Sequence, residues 1–280
     1  MKYENARYDE ERALYGLHKI EVLNCTFEGP ADGESALKEC SDIQVKNCDF
    51  RLRYPFWHVN KAQISECTMS ETCRAALWYD EDIRIEKSLL GGIKALRECV
   101  NCSLKECEIV SPEFGWKCKD IVLDDCKLTA EYVFLDTKGL TLNNVEMKGK
   151  YSFQYVEDVM IENSVLDTKD AFWHAKNVTV KNSVVKGEYL AWYAENIHFI
   201  NCKIIGTQPL CYVKGLVLEN CEMIDADLAF EYSEVRADIT SHIISVKNPV
   251  SGYINAESIG EIIIDDNQKP DADCIITCRK

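Results

Sequence analysis

The hydrophobic positions of this chain recur every 19 residues. The segment from Ile197 to Gly206, IHFINCKIIG, returns as LVLENCEMID from Leu216, VTVKNSVVKG from Val178, VMIENSVLDT from Val159 and LTLNNVEMKG from Leu140. Repeats start at Ile20, Ile43, Ala62, Ile83, Cys102, Ile121, Leu140, Val159, Val178, Ile197 and Leu216, and from Ile83 onward every step is 19. The earlier steps of 23, 19 and 21 place short insertions near Gly29–Glu34 and Thr72–Cys73. Two further coils are expected to begin at Ile244 and Ile262.

With each repeat numbered from 1 to 19, column 3 is apolar throughout, from Val22 and Val45 to Phe199 and Leu218. Column 8 is apolar too, from Phe27 and Phe50 to Ile204 and Met223, whereas columns 2 and 4 are mostly polar. Alternation with period two predicts a strand with one buried face. Column 5 is usually Asn (Asn24, Asn47, Asn144, Asn163, Asn182, Asn201, Asn220), a residue that tolerates left-handed backbone angles and stacks its amide on a like neighbour. Column 6 is Cys or Ser, small and weakly polar, which suits a tight interior just past a corner. Gly29, Gly92, Gly149, Gly187 and Gly206 in column 10 mark a second corner.

Two or three short strands and their bends fill 19 residues and leave no room for a helix. Stacked coils of this kind bury one another's faces. The predicted fold is all-β: a single-stranded right-handed parallel β-helix, a solenoid of about 12–13 coils, the hand following from the rule for parallel crossovers. A single domain over 1–280 is expected, with an N-terminal cap at 1–19, regular coils at 20–234 and irregular C-terminal coils and cap at 235–280. Helix-forming residues after early acids predict that Tyr8–Leu17 caps the first coil.

Column 15 holds all five tryptophans, Trp57, Trp78, Trp116, Trp173 and Trp192. Column 16 adds His58, Tyr79, Tyr155, His174, Tyr193 and Tyr212. Lys38, Arg97, Glu98, Lys117 and Glu231 share these two columns, so the strip is read as half-exposed rather than as sealed interior. Stacked aromatic faces among charges suit sugar rings. The plainer account is that large flat residues stack coil on coil and cover the third wall.

The remaining chemistry is sparse. Asp170 and Glu188 come close if coils stack in register, with His174 a strand away and Lys169 adjacent, the weak catalytic candidates for acid–base work on a glycan. CVNC (Cys99, Cys102) followed by Cys107 has metal-like spacing, but its columns assign these residues to different walls, and no metal site is expected. Cys274 and Cys278 have no nearby His, and Cys211 stands in column 15 as either an exposed reactive thiol or a neutral one within the strip. No Gly-rich phosphate loop, nucleophile elbow or HExxH occurs, so no cofactor is expected.

Composition narrows the partners. A net charge of -15 argues against nucleic acid and against anionic membranes. The N-terminus lacks the apolar core of a secretory signal, and no apolar run approaches a membrane span. Fifteen cysteines, an odd number, without such a signal indicate reduced thiols and a cytoplasmic setting.

The phrases GESALKEC, YPFWHVNK, RAALWYDED, KDAFWHAKNV, GEYLAWYAENI, PLCYVKGL, LAFEYS and SVKNPVSG resemble an uncharacterised bacterial family known only as a domain of unknown function, over nearly the whole chain. The coil architecture resembles the pectin-lyase-like superfold. The resemblance implies a single-domain β-helix without an assigned activity, so no catalytic residue carries over. Asp124-Asp125 and Asp265-Asp266 do not reproduce the paired Asp and Gly-His-Gly pattern of polygalacturonases, and the pectate-lyase and pectin-methylesterase motifs are missing. Three functions stay open: a cytosolic β-helix that binds a carbohydrate or protein along the aromatic strip, an intracellular glycan-active lyase, isomerase or hydrolase, and a scaffold that self-associates. Fold by itself does not choose among them.

Overall fold

The computed structural model describes residues 1–29 and 34–279, so the insertion expected near Gly29–Glu34 lies largely outside the described residues. The fold is an all-β parallel β-solenoid with coils of about 19 residues, as the repeat requires. The described residues contain no helix, and therefore none long and apolar enough to cross a membrane. They divide into two compact units, Met1–Glu146 and Met147–Lys280.

In the first unit, strands Lys2–Glu4, Glu21–Leu23, Ser41–Lys46, Asn60–Ser65, Glu81–Glu86, Val100–Lys105, Lys119–Asp124 and Lys138–Asn143 pair in parallel, each with the next. Val22 faces Val45, Ile43 faces Ala62, Ala62 faces Ile83 and Ile83 faces Cys102, so the irregular steps read from the sequence are the steps of the ladder. A second wall begins at Arg7–Tyr8, Thr26–Phe27 and Asp49–Phe50. A third carries the short strands Phe56–Trp57, Leu77–Trp78 and Leu96–Arg97. In the second unit, taken by itself, a first wall is formed by Glu157–Glu162, Lys176–Lys181, Glu195–Ile200 and Lys214–Ile224, paired in unbroken steps of 19.

Inward columns stack like on like. Phe27 lies on Phe50 with centroids 4.7 Å apart, and Phe153 lies on Phe172 at 4.7 Å. Parallel in-register pairing brings each residue over its own column, so a column tolerates only one size and polarity of side chain. The column-5 asparagines all have φ between 48° and 53°, and their amides form ladders: Asn201 Nδ2 donates to Asn182 Oδ1 (3.1 Å) and Asn220 Nδ2 to Asn201 Oδ1 (2.9 Å). Column 6 has a polar task. The Cys25 and Cys48 amides donate to the sulfurs of Cys48 and Cys67, and the Cys67 and Ser164 amides donate to the hydroxyls of Ser88 and Ser183. Cys and Ser thus satisfy a corner N–H that the strand ladder leaves over. All fifteen cysteines are free thiols.

Three local expectations need correction. Residues 1–19 form one more coil rather than a helical cap: Tyr3 pairs with Val22, Tyr8 with Phe27, and Asn24 donates to Asn5. Asn5 is that coil's column-5 residue, and a turn's worth of helix propensity cannot outweigh a ladder whose every backbone partner is already in place. Ile244 and Ile262 do not open coils. They lie in His242–Lys247 and Ser258–Ile263, which pair with each other, while the first-wall strands are Glu234–Ile239, Ser251–Ala256 and Ile275–Cys278. There the step shortens to 17 (Val235 over Gly252), so the 19-residue frame no longer locates the strands. Finally, Cys99 lies on the bend before the first-wall strand that holds Cys102, yet the two side chains are close. Their thiols meet in the core beside Asp80 and Cys118, because the corner from column 17 into the next coil is tight.

Asp80 is 1% exposed, in a column filled elsewhere by Val, Cys, Ala, Thr or Ser. Its Oδ1 accepts the Val59 N–H at 2.7 Å, and its Oδ2 has no hydrogen-bond partner. Burial pushes its carboxyl well above the usual carboxylate range. Folded protein therefore holds a proton that unfolded protein releases above about pH 4, and this residue costs stability increasingly as pH rises past that point. Asp80→Thr copies Thr137, which accepts the Cys118 N–H in the same column. It should raise the melting temperature at neutral pH, by about 1–3 kcal/mol in stability, with the gain shrinking toward pH 4 in a pH series of thermal melts. Asn201→Ala removes two ladder bonds at a left-handed corner and should cost about 1–3 kcal/mol in chemical denaturation, more than Asn201→Gly.

Candidate functional site

The third wall places columns 15 and 16 outward. In the first unit Trp57 and Trp78 are half-buried and stacked, with centroids 5.2 Å apart and planes 11° apart. The Lys38 ammonium lies 4.0 Å from the Trp57 ring and the Arg97 guanidinium 5.5 Å from Trp78. The column that mixes tryptophan with basic residues is thus a stack of indoles closed at both ends by cations. His58 on Tyr79 forms a parallel pair beside it at 5.1 Å, and a hydrogen bond to Glu98 raises the Tyr79 hydroxyl. Trp116, with Lys94 over its ring at 5.8 Å, donates its indole N–H to the Tyr132 carbonyl.

In the second unit Trp173 and Trp192 stack at 5.5 Å with planes 4° apart. Their indole nitrogens donate to the carbonyls of Tyr189 (2.7 Å) and Gln208 (2.9 Å). Beside them runs a longer ladder, Tyr155–His174–Tyr193–Tyr212, with centroid spacings of 5.0, 5.3 and 4.8 Å and planes within 12°. Tyr232 continues it at 5.8 Å, and the Lys269 ammonium sits 5.1 Å from the Tyr232 ring. Tyr212 donates to Glu231, and burial together with that carboxylate raises its hydroxyl.

This geometry changes what the strip offers. Every ring face within the ladder is turned on the ring above or below, so the faces expected to receive sugars are occupied by protein. The edges point outward instead. Tyr155 and Tyr193 are 54% and 48% exposed, His174 is exposed, and none of these three polar edges has a hydrogen-bond partner among the described residues. His174, Tyr193 and Tyr212 all have φ between 55° and 62°, a left-handed backbone that bulky residues seldom adopt and that sequence pattern does not announce.

The catalytic candidates gather only in part. Lys169 and Glu188 form an exposed ion pair at 3.0 Å, and the Asp170 amide donates to the Glu188 carbonyl. Asp170 is buried, and burial, with a smaller push from Glu188, raises its carboxyl, while Lys169 opposes. The Lys169 ammonium lies 5.6 Å from Tyr189, which meets Trp192 edge-on, so this cluster borders the tryptophan stack. The ring neighbours of His174 are Tyr155 and Tyr193, and it joins neither carboxylate among the described residues. Cys211 is 1% exposed, and burial pushes its thiol up to about 12, which makes it a neutral core thiol and not a nucleophile. No group of three or more His, Cys, Asp or Glu side chains is placed to hold a metal among the described residues.

A family model described as "Protein of unknown function (DUF3737)" matches residues 1–277. The search of curated proteins gives no match. Solved structures similar to the chain include a pentapeptide repeat protein involved in heterocyst differentiation regulation from the cyanobacterium Nostoc, at 15% identity, with 79% of this chain and 92% of that chain covered and a TM-score of 0.30. Another is a mannuronan C-5 epimerase A-module of Azotobacter vinelandii, at 8% identity, with 100% and 89% covered and a TM-score of 0.32. A bacteriophage tailspike protein matches at 9% identity, with 99% and 55% covered and a TM-score of 0.37.

Neutralising one partner of the exposed pair should retitrate Asp170 without unfolding the coil. Glu188→Gln should lower the Asp170 midpoint and Lys169→Gln should raise it, followed by carbon NMR of the carboxyl. Each should cost less than about 1 kcal/mol of stability, as is usual for exposed ion pairs.

Proposed function

The chain belongs to DUF3737, a family of unknown function, and from that premise we propose that this β-solenoid is a non-catalytic binding protein whose ligand is a carbohydrate held along the outward edges of the second unit's aromatic ladder. The observation that carries this reading is the run of Tyr155, His174 and Tyr193, three exposed hydrogen-bonding edges on successive coils with no protein partner among the described residues. Rings locked by stacking lose little rotamer freedom when a ligand arrives, so the ladder is a preorganised row of donors and acceptors. Successive strands are spaced about 4.8 Å apart, so hydroxyls along an extended glycan meet one edge after another.

A second reading rests on Asp170. A buried carboxyl with a raised proton affinity, bordered by Lys169, Glu188 and the Trp173–Trp192 stack, has the character of a general acid. It makes the protein a glycan-active enzyme, and mass-spectrometric product detection on the same ligands separates the two.

Tyr193→Phe keeps the ring and its stack but removes the hydroxyl. It should weaken binding of the best ligand from a glycan array about 2–10-fold, the worth of one neutral hydrogen bond, with an unchanged melting temperature. Unchanged affinity in both Tyr193→Phe and His174→Phe would remove the ladder edges as the contact.

A further inference from the structure

A well-formed cavity of the first unit lies away from the aromatic strip. It has a volume of about 660 Å³ and lies on the outer face of the first wall, between Asp42 and Ser103. It lies where the strands bend. Asp42, Lys61, Asp82 and Asn101 have φ between 52° and 59°, and the ladder steps over them: Glu81 pairs with Val100 and Ile83 with Cys102, while Asp82 and Asn101 pair with nothing in register. The same skip occurs at Asp42 and Lys61. The same column bends in other coils too, at Lys19, Asp120 and Asp158, and the cavity lies over the four bends from Asp42 to Asn101.

The side chains around this hollow divide into engaged acids and unengaged donors. Asp82 accepts from Asn101 Nδ2, and Asp42 lies 3.6 Å from the His18 ring. Lys61 and Arg84 line the cavity and are not ion-paired among the described residues, whereas other cations, such as Lys46, Lys87 and Lys127, face a carboxylate one coil away. Gln44, Gln63 and Ser103 add neutral groups that both donate and accept, and their side chains are likewise uncommitted. Two free cations beside a set of amides and a hydroxyl select a small molecule with one oxyanion and several hydroxyls. A long polyanion is disfavoured by the net charge of -15.

We propose that this cavity is a binding site for an anionic sugar, its phosphate or carboxylate held by Lys61 and Arg84 and its hydroxyls by Gln44, Gln63 and Ser103. The volume falls within the range of small-molecule sites. Phosphate and carboxylate offer the guanidinium the same planar pairing, so both are taken as the class.

The test is isothermal titration of the intact chain with glucose 6-phosphate, glucuronate, glucose and inorganic phosphate. At least one anionic sugar should bind, more tightly than both glucose and inorganic phosphate, and added salt should weaken it. The better of the two anionic sugars shows which oxyanion is preferred. Arg84→Gln and Lys61→Gln should each weaken binding about tenfold or more, as for hydrogen bonds to charged groups. Lys127→Gln, which removes the same charge from the second wall, should leave it unchanged, and thermal melts of all three variants report that they are folded. The proposal is overturned if neither anionic sugar binds, if glucose or inorganic phosphate binds as tightly, or if both cavity variants bind like the parent. None of these outcomes bears on the ladder in the second unit.

Discussion

Parallel backbone pairing in strict register is the constraint from which the rest of each unit follows. When residue i hydrogen-bonds over residue i+19, each side chain is placed about one strand spacing from the same column of the next coil. A side chain then has two kinds of neighbour: its own column above and below, and the opposite walls inside. Apolar columns solve this by stacking like on like, as Phe27 does on Phe50. Polar columns solve it by handing hydrogen bonds along the axis, as the asparagines of column 5 do.

The same constraint explains the aromatic strip without reference to any ligand. A tryptophan half out of the core leaves a face open to water unless the next coil covers it. Trp57 and Trp78 cover each other, and Lys38 and Arg97 close the two ends. Cation and indole share a column because the stack needs an end that tolerates water on its far side. What is left over for function is what stacking does not consume: ring edges in the second unit, and cations without a carboxylate on the first wall of the first unit.

Asp80 breaks the column rule inside the core. It supplies an acceptor to the Val59 amide, as Thr137 and Ser233 do for their own neighbours, but brings a second oxygen that has no partner. A neutral acid is tolerated there and a charged one is not. The Cys99 and Cys102 thiols beside it look like ligand spacing in the sequence, yet in space they are small groups filling the bend next to a carboxyl whose proton affinity burial raises.

Much of this was legible in the sequence. The repeat length, its irregular early steps, the inward columns, the left-handed asparagine corners and the outward character of columns 15 and 16 all follow from a period, because a period names each residue's axial neighbours. Where the period changed, as at Val235 over Gly252, the sequence lost the frame and misplaced the strands around Ile244 and Ile262. Ring orientation, the bend at Asp42, Lys61, Asp82 and Asn101, and the separation of His174 from Asp170 depend on backbone torsions and rotamers within a coil. Those are settled only when the walls close on one another. The sequence by itself determined which residues stack; the tertiary structure alone decided which face of each remained to meet anything else.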